Sequence, residues 1–502
     1  VVKSFDGGQS VSQVADICLI TEGSYPFISG GVSTWAHQMV SELSEHTFHI
    51  VSIMPKDNGF EKKFAFPSNV IGHDVVYLQR LPESGKLSAD KIDEIHERLR
   101  PLLYGLIDGV PFDTNSLAAL VKVLASNKGA ITQHSLLDSM AAWQTLLETY
   151  ESGYSHLSFL DYFWTYRVML SSLISVMIAP LPAAKVYHTV STGFAGLMAA
   201  RAKAETGSAV LLTEHGIYTN ERRIEIVAAE WLQQAGEGAL TVERMDVDLR
   251  DMWMRFFQKI GRVCYDSSDR VITLFADNQK AQVADGADVD RLLVIPNGID
   301  IDHFASLPRL TNGVPTIGLI GRVVPIKDVK GFLQAVAILA RSMPELRAYI
   351  IGPTEEDEAY ALECRELANY LGIDQVVQFT GMASMDEYLP KLDLVVLTSI
   401  SEAQPLVLLE AGACGIPLVA PEVGACAEII RGTVEEKPAI GAGGVVTPLA
   451  NPEATAQAVY SLLSDRRKYQ EASIAIKKRV QQYYPKKRQY DAYRKLYSTH
   501  LG

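Results

Sequence analysis

A chain of 502 residues with 48% hydrophobic and 21% charged residues is that of an ordinary globular protein, long enough for two or more domains. Its formal net charge of -13 excludes a protein that simply coats nucleic acid. The five cysteines (Cys18, Cys264, Cys364, Cys414, Cys426) show neither a disulfide framework nor CxxC spacing, which points to a reducing cytoplasm. No charged-then-apolar signal segment opens the chain, and its start at Val1 suggests a trimmed end.

Along the chain, short β-branched runs alternate with helical patterns, the sign of parallel sheets built from βαβ units. In the first half, strands are expected at residues 16–20, 48–53, 185–188, 210–213, 271–274 and 292–295. A mostly helical insertion at about 88–180 interrupts this rhythm, with clear helical periodicity over 91–103 and 135–150. The apolar run in 159–182 is broken by Asp161 and Arg167, and its remainder falls short of the roughly 20 residues that a membrane span needs. It reads as a buried helix in a chain that is not transmembrane. The second half predicts strands at 316–320, 346–351, 376–379, 394–397 and 418–420, each followed by a helix. Residues 302–315, with Asn312-Gly313, read as a linker, and 483–497 as a terminal helix after the Pro485 break. The expected organisation is a Rossmann-like domain over 1–305 carrying the insertion, a second over 306–480, and a terminal helix in 481–502 packing back on the first.

Doubly wound domains bind ligands at the carboxyl ends of their strands. After the first strand, Gly30 and Gly31 precede a helix; paired glycines there let backbone approach a phosphate, and a tight turn explains them as well. Neither GxGxxG nor GxxxxGK[ST] occurs, so dinucleotide and P-loop readings lose their main support. His188 and His215 each stand at a strand end, where structural and catalytic roles weigh about equally. Arg222 and Arg223 could bind an anion, although decoration of a helix surface is the simpler reading. Arg322 and Lys327 lie five residues apart on one loop; a guanidinium fork and an ammonium point charge suit a diphosphate. Solvated charges are the alternative, against which the flanking Leu319-Ile320 and Val323-Val324 pull the loop toward a core.

The segment 401–428 is the most informative. Glu402 and Glu410 flank Pro405, which is expected to open a helix running to about Ala413 and stopping at Gly415. Unpaired N–H groups at such an end favour anions, so acids beside them suggest a ligand that is part phosphate and part hydroxyl, such as a nucleotide sugar. A capped surface helix with two solvated acids is the alternative.

Pro296-Asn-Gly-Ile-Asp300, the Gly321–Lys327 loop and the Glu402/Glu410 segment resemble the shared motifs of retaining GT-B glycosyltransferases of family 4. The stretches ITEGSYPFISGGVSTWAHQM and TEHGIYTNERRIEI, with the helical insertion, look like the Pel-type exopolysaccharide branch of that family. The resemblance implies an α/β GT-B fold, two Rossmann-like doubly wound domains facing across a cleft. It implies retaining transfer of a sugar from a UDP-sugar, UDP-glucose being the expected donor, to a growing exopolysaccharide. Arg322, Lys327, Gly30, Gly31 and the amides of Leu406 and Val407 would hold the donor diphosphate, Glu410 the ribose, and Gln404 and Pro405 the donor sugar. His215 and Glu402 would stand at the reaction centre, with His188 and Arg222 supporting it or on the acceptor side. No cofactor beyond the UDP-sugar and no metal is expected. The DxD strings (Asp246-Val-Asp248, Asp288-Val-Asp290, Asp300-Ile-Asp302) lack His or Glu companions. Implied partners are the donor, a polysaccharide or oligosaccharide acceptor and an inner-membrane Pel synthase complex, without nucleic acid. The implied location is cytoplasmic, or peripheral at the inner membrane through those partners. Two alternatives are a non-catalytic nucleotide-sugar-binding regulatory subunit of a polysaccharide synthase and a GT-B-fold UDP-sugar epimerase. The basic triplets Lys477-Lys478-Arg479 and Lys486-Lys487-Arg488 could dock on an anionic membrane face. The tyrosines Tyr483, Tyr484, Tyr490, Tyr493 and Tyr497 favour packing instead.

Overall fold

The computed structural model describes residues 14–83, 88–107, 111–127, 129–223, 247–310, 313–434 and 436–501. They form two compact units. The first comprises Val1–Thr273, Asn278–Leu293 and Arg494–Gly502, and the second Leu274–Asp277 and Val294–Tyr493.

In the first unit, seven parallel strands are ordered β3-β2-β1-β4-β5-β6-β7. They are β1 (Ala15–Glu22), β2 (Phe48–Met54), β3 (Val70–Tyr77), β4 (Ala184–Thr189), β5 (Ala209–Glu214), β6 (Arg270–Thr273) and β7 (Leu292–Val294). The central strands are buried on both faces, which is why they read as continuous apolar runs rather than as alternation. Helix α1 (Gly31–Glu42) follows β1. The insertion supplies α2 (Ala89–Ile107), α3 (Thr114–Ser126), α4 (Met140–Gly153) and α5 (Phe159–Ile178), and its apolar faces join one core with the sheet. Asp113, Ser139 and Ser158 cap three of these helices by accepting a backbone N–H. Then come α6 (Phe194–Thr206), α7 (Val247–Ser267) and α8 (Asn278–Ala284).

The second unit repeats the pattern with six parallel strands ordered β10-β9-β8-β11-β12-β13. These are β8 (Thr316–Ile320), β9 (Arg347–Ile351), β10 (Val377–Gly381), β11 (Leu394–Val396), β12 (Leu418–Pro421) and β13 (Gly444–Thr447). Its helices are α9 (Ile301–Ser306), α10 (Val329–Ala340), α11 (Glu358–Tyr370), α12 (Met385–Tyr388), α13 (Leu406–Ala413), α14 (Cys426–Arg431), α15 (Pro452–Ser464) and α16 (Arg466–Tyr483); the last helix, α17 (Lys486–His500), begins in the second unit and from Arg494 belongs to the first. Apolar clusters cover both faces of this sheet. In both sheets the strand order reverses beside the first strand, between β1 and β4 and between β8 and β11, which is where doubly wound folds bind ligands.

Several expectations need correction. The units divide at Leu293, earlier than residue 305, because the Pro296–Asp300 turn is tied to the second unit. The Asn297 amide donates to Gln404 Oε1 at 2.7 Å, and the Ile299 amide to the Tyr484 carbonyl at 2.9 Å. The helix expected over 135–150 is split. A π-helical turn, His134–Asp138, ends at Ser139, whose extended backbone and hydroxyl cap restart the chain as α4. β3 and β13 were not expected at all; each is an edge strand of its sheet and only half-buried. Asn312 and Asp246 lie outside the described residues. Among those residues no helix is long and apolar enough to cross a membrane, and α5 is largely buried. All five cysteines are free and buried.

Candidate functional site

Two loops meet at the switch point of the second sheet. The loop after β8 carries Arg322 and Lys327, and the loop after β11 carries Thr398 to Pro405. They are stitched together by backbone and side chain. The Ile400 amide donates to the Ile326 carbonyl at 2.9 Å, and the Thr398 hydroxyl lies 3.1 and 2.8 Å from the carbonyls of Lys327 and Asp328. Asp328 sits at φ 45, a left-handed position that aspartate tolerates, and caps α10 by accepting from the Gly331 amide. Beneath the second loop, Gly424 is required. It has φ +50, and a Cβ there would lie 2.1 Å from the Glu402 carbonyl.

This framework brings Lys327 Nζ within 2.6 Å of Glu402 Oε1. The pair is mostly buried, with 19% and 10% of the two side chains exposed. Ser399, itself fully buried, donates to the same carboxylate oxygen at 2.6 Å. Arg322 is half-exposed and pairs with Glu356 from the loop after β9. The solvated-charge reading therefore fails for Lys327 and suits Arg322 better.

Helix α13 runs Leu406–Ala413, ending where expected but starting one residue later, because Pro405 has extended backbone (ψ 108) and stands as the N-cap; Gly415 lies beyond the end at φ +74. Leu406 and Val407 stand in its first turn, where a helix leaves N–H groups without an internal acceptor. Glu410 lies inside the helix, and burial pushes its carboxyl up to about 7; Lys486 and His303 pull it down and Asp386 pushes it up. No hydrogen-bond donor among the described residues reaches that carboxylate. Gln404 is buried, and its Oε1 is anchored by the Asn297 amide while its Nε2 has no partner among the described residues. The side chain thus braces the Pro296–Asp300 turn.

In the first unit, β1 leads through Glu22 to Gly30 and α1. Gly30 has extended backbone at φ 169, and a Cβ on Gly30 or Gly31 would meet nothing within 4 Å. Neither a left-handed backbone nor a neighbour among the described residues requires glycine at these two positions. Glu22 accepts from the Ala195 amide at 3.0 Å and from the Tyr218 hydroxyl at 2.8 Å. Gly193 makes room for them, since a Cβ there would lie 2.4 Å from the Tyr218 ring. Arg222 stacks over the same ring at 4.8 Å, while Arg223 is exposed.

His215 follows β5 directly. Both its ring nitrogens are covered and have no hydrogen-bond partner among the described residues. Burial lowers its pKa to about 4, so the imidazole is neutral at pH 7. The Trp35 indole packs edge-on against it at 4.8 Å. His188 is different. It lies fully buried, with Nδ1 2.6 Å from the Tyr497 hydroxyl and Nε2 2.9 Å from the Thr213 hydroxyl, and burial, helped by His215, lowers its pKa to about 3. Such a satisfied neutral histidine supports the strand ends rather than meeting a ligand. Glu214, between Thr213 and His215, is buried and pushed up to about 7. Its oxygens accept from Tyr265, Gln282 and Thr192.

Two of the three DxD strings supply caps: Asp288 starts a 3-10 turn and Asp300 starts α9. Arg479 of the basic triplets is not a surface charge. It is 1% exposed and bonds Glu436 through two nitrogens at 2.8 and 2.9 Å. A cavity of about 470 Å³ lies beside it, lined by Pro296, Glu428, Tyr484 and Arg488 among others; none of Arg322, Lys327, Glu402 and Glu410 lines it. The sequence reading did not single out Ser399, Glu356 or Trp35. Ser399 sits three residues before Glu402, a spacing that could have flagged it, whereas Glu356 and Trp35 carry no local signal.

Residues 15–290 match the family described as a domain of unknown function (DUF3492), and residues 314–465 match glycosyl transferases group 1. A D-inositol 3-phosphate glycosyltransferase of Kineococcus radiotolerans is 26% identical over 286 residues, 49% of this chain and 65% of that protein. The Streptomyces scabiei enzyme of the same name is 33% identical over 148 residues, 26% of this chain and 33% of that protein. The chain thus spans less than two thirds of the length of these curated relatives. Among solved structures, Anabaena HepE in complex with UDP shares the fold with a TM-score of 0.57 at 14% identity, covering 96% of this chain and 100% of that one. Sucrose-phosphate synthase from Thermosynechococcus elongatus gives 0.57 at 15% identity, covering 96% and 99%. The fold is GT-B, two parallel-sheet Rossmann-like domains.

Proposed function

We propose that this chain, which belongs to the DUF3492 family, is a retaining hexosyltransferase that moves a sugar from a UDP-sugar to a growing Pel-type exopolysaccharide, in the manner of the glycosyltransferase called PelF. The observation that carries this reading is the meeting of Lys327, Glu402 and the start of α13 at the switch point of the second sheet, with Arg322 beside them. Breaking a sugar–phosphate bond leaves an oxocarbenium-like sugar and a diphosphate of growing negative charge. Fixed cations and N–H groups aimed at the leaving group provide preorganised stabilisation, usually the largest catalytic term. Lys327, Arg322 and the Leu406 and Val407 amides have that chemistry. Glu410, an acceptor without a donor among the described residues, suits ribose hydroxyls. His215, neutral and without a hydrogen-bond partner among the described residues, can exchange a hydrogen bond with a sugar hydroxyl at the reaction centre.

UDP-glucose is the proposed donor, by the family resemblance and because the structurally similar HepE has been solved with UDP-glucose. No metal or further cofactor is proposed, and the proposed setting is the cytoplasmic side of an inner-membrane Pel synthase complex. A thermal-shift panel of UDP-, GDP- and ADP-sugars tests the donor. Saturation at 100 times the dissociation constant adds about 2.7 kcal/mol. Stabilisation by GDP-mannose with none by UDP overturns the assignment, and epimer formation from donor alone points to the epimerase instead.

A further inference from the structure

The two cations that the proposed function assigns to the donor diphosphate are both already occupied by carboxylates of this chain. Lys327 holds Glu402 and Arg322 holds Glu356. The Arg322 pair is half-exposed, and such pairs count for little. The Lys327 pair is short, mostly buried and built on two loops locked by Thr398 and Ile400. Glu402 takes one of the three N–H donors of Lys327 and neutralises its charge, so an arriving diphosphate competes with the carboxylate for the same ammonium. A second group is in place for the carboxylate when the lysine leaves. The Ser399 hydroxyl, fully buried near the start of the loop after β11, already donates to the same Oε1 at 2.6 Å.

We propose that donor binding is a carboxylate-for-phosphate exchange on Lys327, with Ser399 as the positioning residue that retains Glu402 after the exchange. The inference rests on the proposed function of the same site and adds to it an order of events. In the unliganded protein, lysine and glutamate neutralise each other. The diphosphate replaces the carboxylate on the lysine, and the freed Glu402 oxygen, steadied by one hydrogen bond from Ser399, turns to the arriving sugar. The carboxylate is thereby available only when a diphosphate is present, which couples capture of the donor to assembly of the reaction centre.

This arrangement has an unusual consequence: removing the charge of Glu402 helps the nucleotide bind. By calorimetry, Glu402→Gln should bind UDP about two- to fivefold more tightly than the wild type, the measure of an ion pair that no longer has to open. In a Lys327→Ala background the same Glu402→Gln change should have no effect on UDP affinity, because no pair remains to open. Ser399→Ala should leave UDP affinity unchanged and lower kcat for transfer, with little change in KM for the donor. Equal UDP affinity in Glu402→Gln and wild type, or the same gain with and without Lys327, overturns the exchange. Unchanged kcat in Ser399→Ala overturns the positioning role. Failure of wild-type protein to bind UDP at all would instead refute the proposed function, and circular dichroism of each variant separates either outcome from misfolding.

Discussion

Glu410 offers the sharpest quantitative test of the donor site. Its carboxyl, ordinarily near 4.5, is pushed to about 7 by burial, and no donor of the described residues compensates for the anion. That gap corresponds to roughly 3 kcal/mol, at about 1.36 kcal/mol per pH unit. The folded protein therefore keeps the Glu410 proton to higher pH than the unfolded chain does. Its contribution to stability is lost as pH rises from about 4.5 through 7. A ribose reverses the balance, because its two hydroxyls donate more strongly to the anion than to the acid. If only the carboxylate binds ribose, affinity should rise roughly tenfold between pH 6 and pH 8 and level off above, following the ionised fraction of a group near 7. UDP-glucose is the right ligand for calorimetry, since its diphosphate does not titrate in this range and that of free UDP does. Glu410→Gln should bind more weakly at pH 8 and lose the pH dependence. His303, which faces Glu410 and lies 2.8 Å from Asp386, must be removed as a control with His303→Gln. His188 and His215 titrate well below this window, but Glu214 is also pushed up to about 7 and needs its own control, Glu214→Gln. Affinity that falls from pH 6 to 8, or a slope that persists in Glu410→Gln, refutes the ribose assignment.

Lys327→Ala should weaken UDP binding by roughly tenfold to a hundredfold, the value of a charge-assisted hydrogen bond, and Arg322→Ala by less, since Arg322 is half-exposed; fluorescence titration reads both, and unchanged affinity in Lys327→Ala removes the diphosphate role. His215→Ala should strongly depress transfer while UDP still binds, because no described residue is hydrogen-bonded to its ring nitrogens; wild-type turnover removes it from the mechanism. Arg479→Ala leaves Glu436 as an uncompensated buried charge and should cost about 3–5 kcal/mol in denaturant unfolding; a loss under about 1 kcal/mol returns Arg479 to the surface-charge reading.

The doubly wound halves were legible because their central strands are buried on both faces and so appear as unbroken β-branched runs. The same physics hid β3 and β13. An edge strand is covered on fewer sides, and Gly72-His73-Asp74 in β3 breaks any apolar run while still pairing in register with His49, Ile50 and Val51. Helix α13 was legible from Pro405 and Gly415, whose backbone constraints are local. The split at Ser139 was not, because a serine inside a helical period reads as solvent-facing until its hydroxyl is seen to cap Ala142.

For the site, identity was local and partnership was not. Arg322, Lys327, Glu402 and Glu410 could be picked out by charge and spacing. Nothing in the sequence says that Lys327 and Glu402, 75 residues apart, share an ion pair, or that Glu410 lacks one among the described residues. That difference governs what each glutamate can do. A carboxylate already bound to a cation can be released by a competing anion, so Glu402 can report the arrival of a diphosphate. One without a cation or a donor can only respond to hydroxyls that come with the ligand or to a proton. Two glutamates eight residues apart on one loop and helix thus answer to different parts of the same nucleotide sugar, and their separate dependence on anion and on pH is what distinguishes capture of the diphosphate from capture of the ribose.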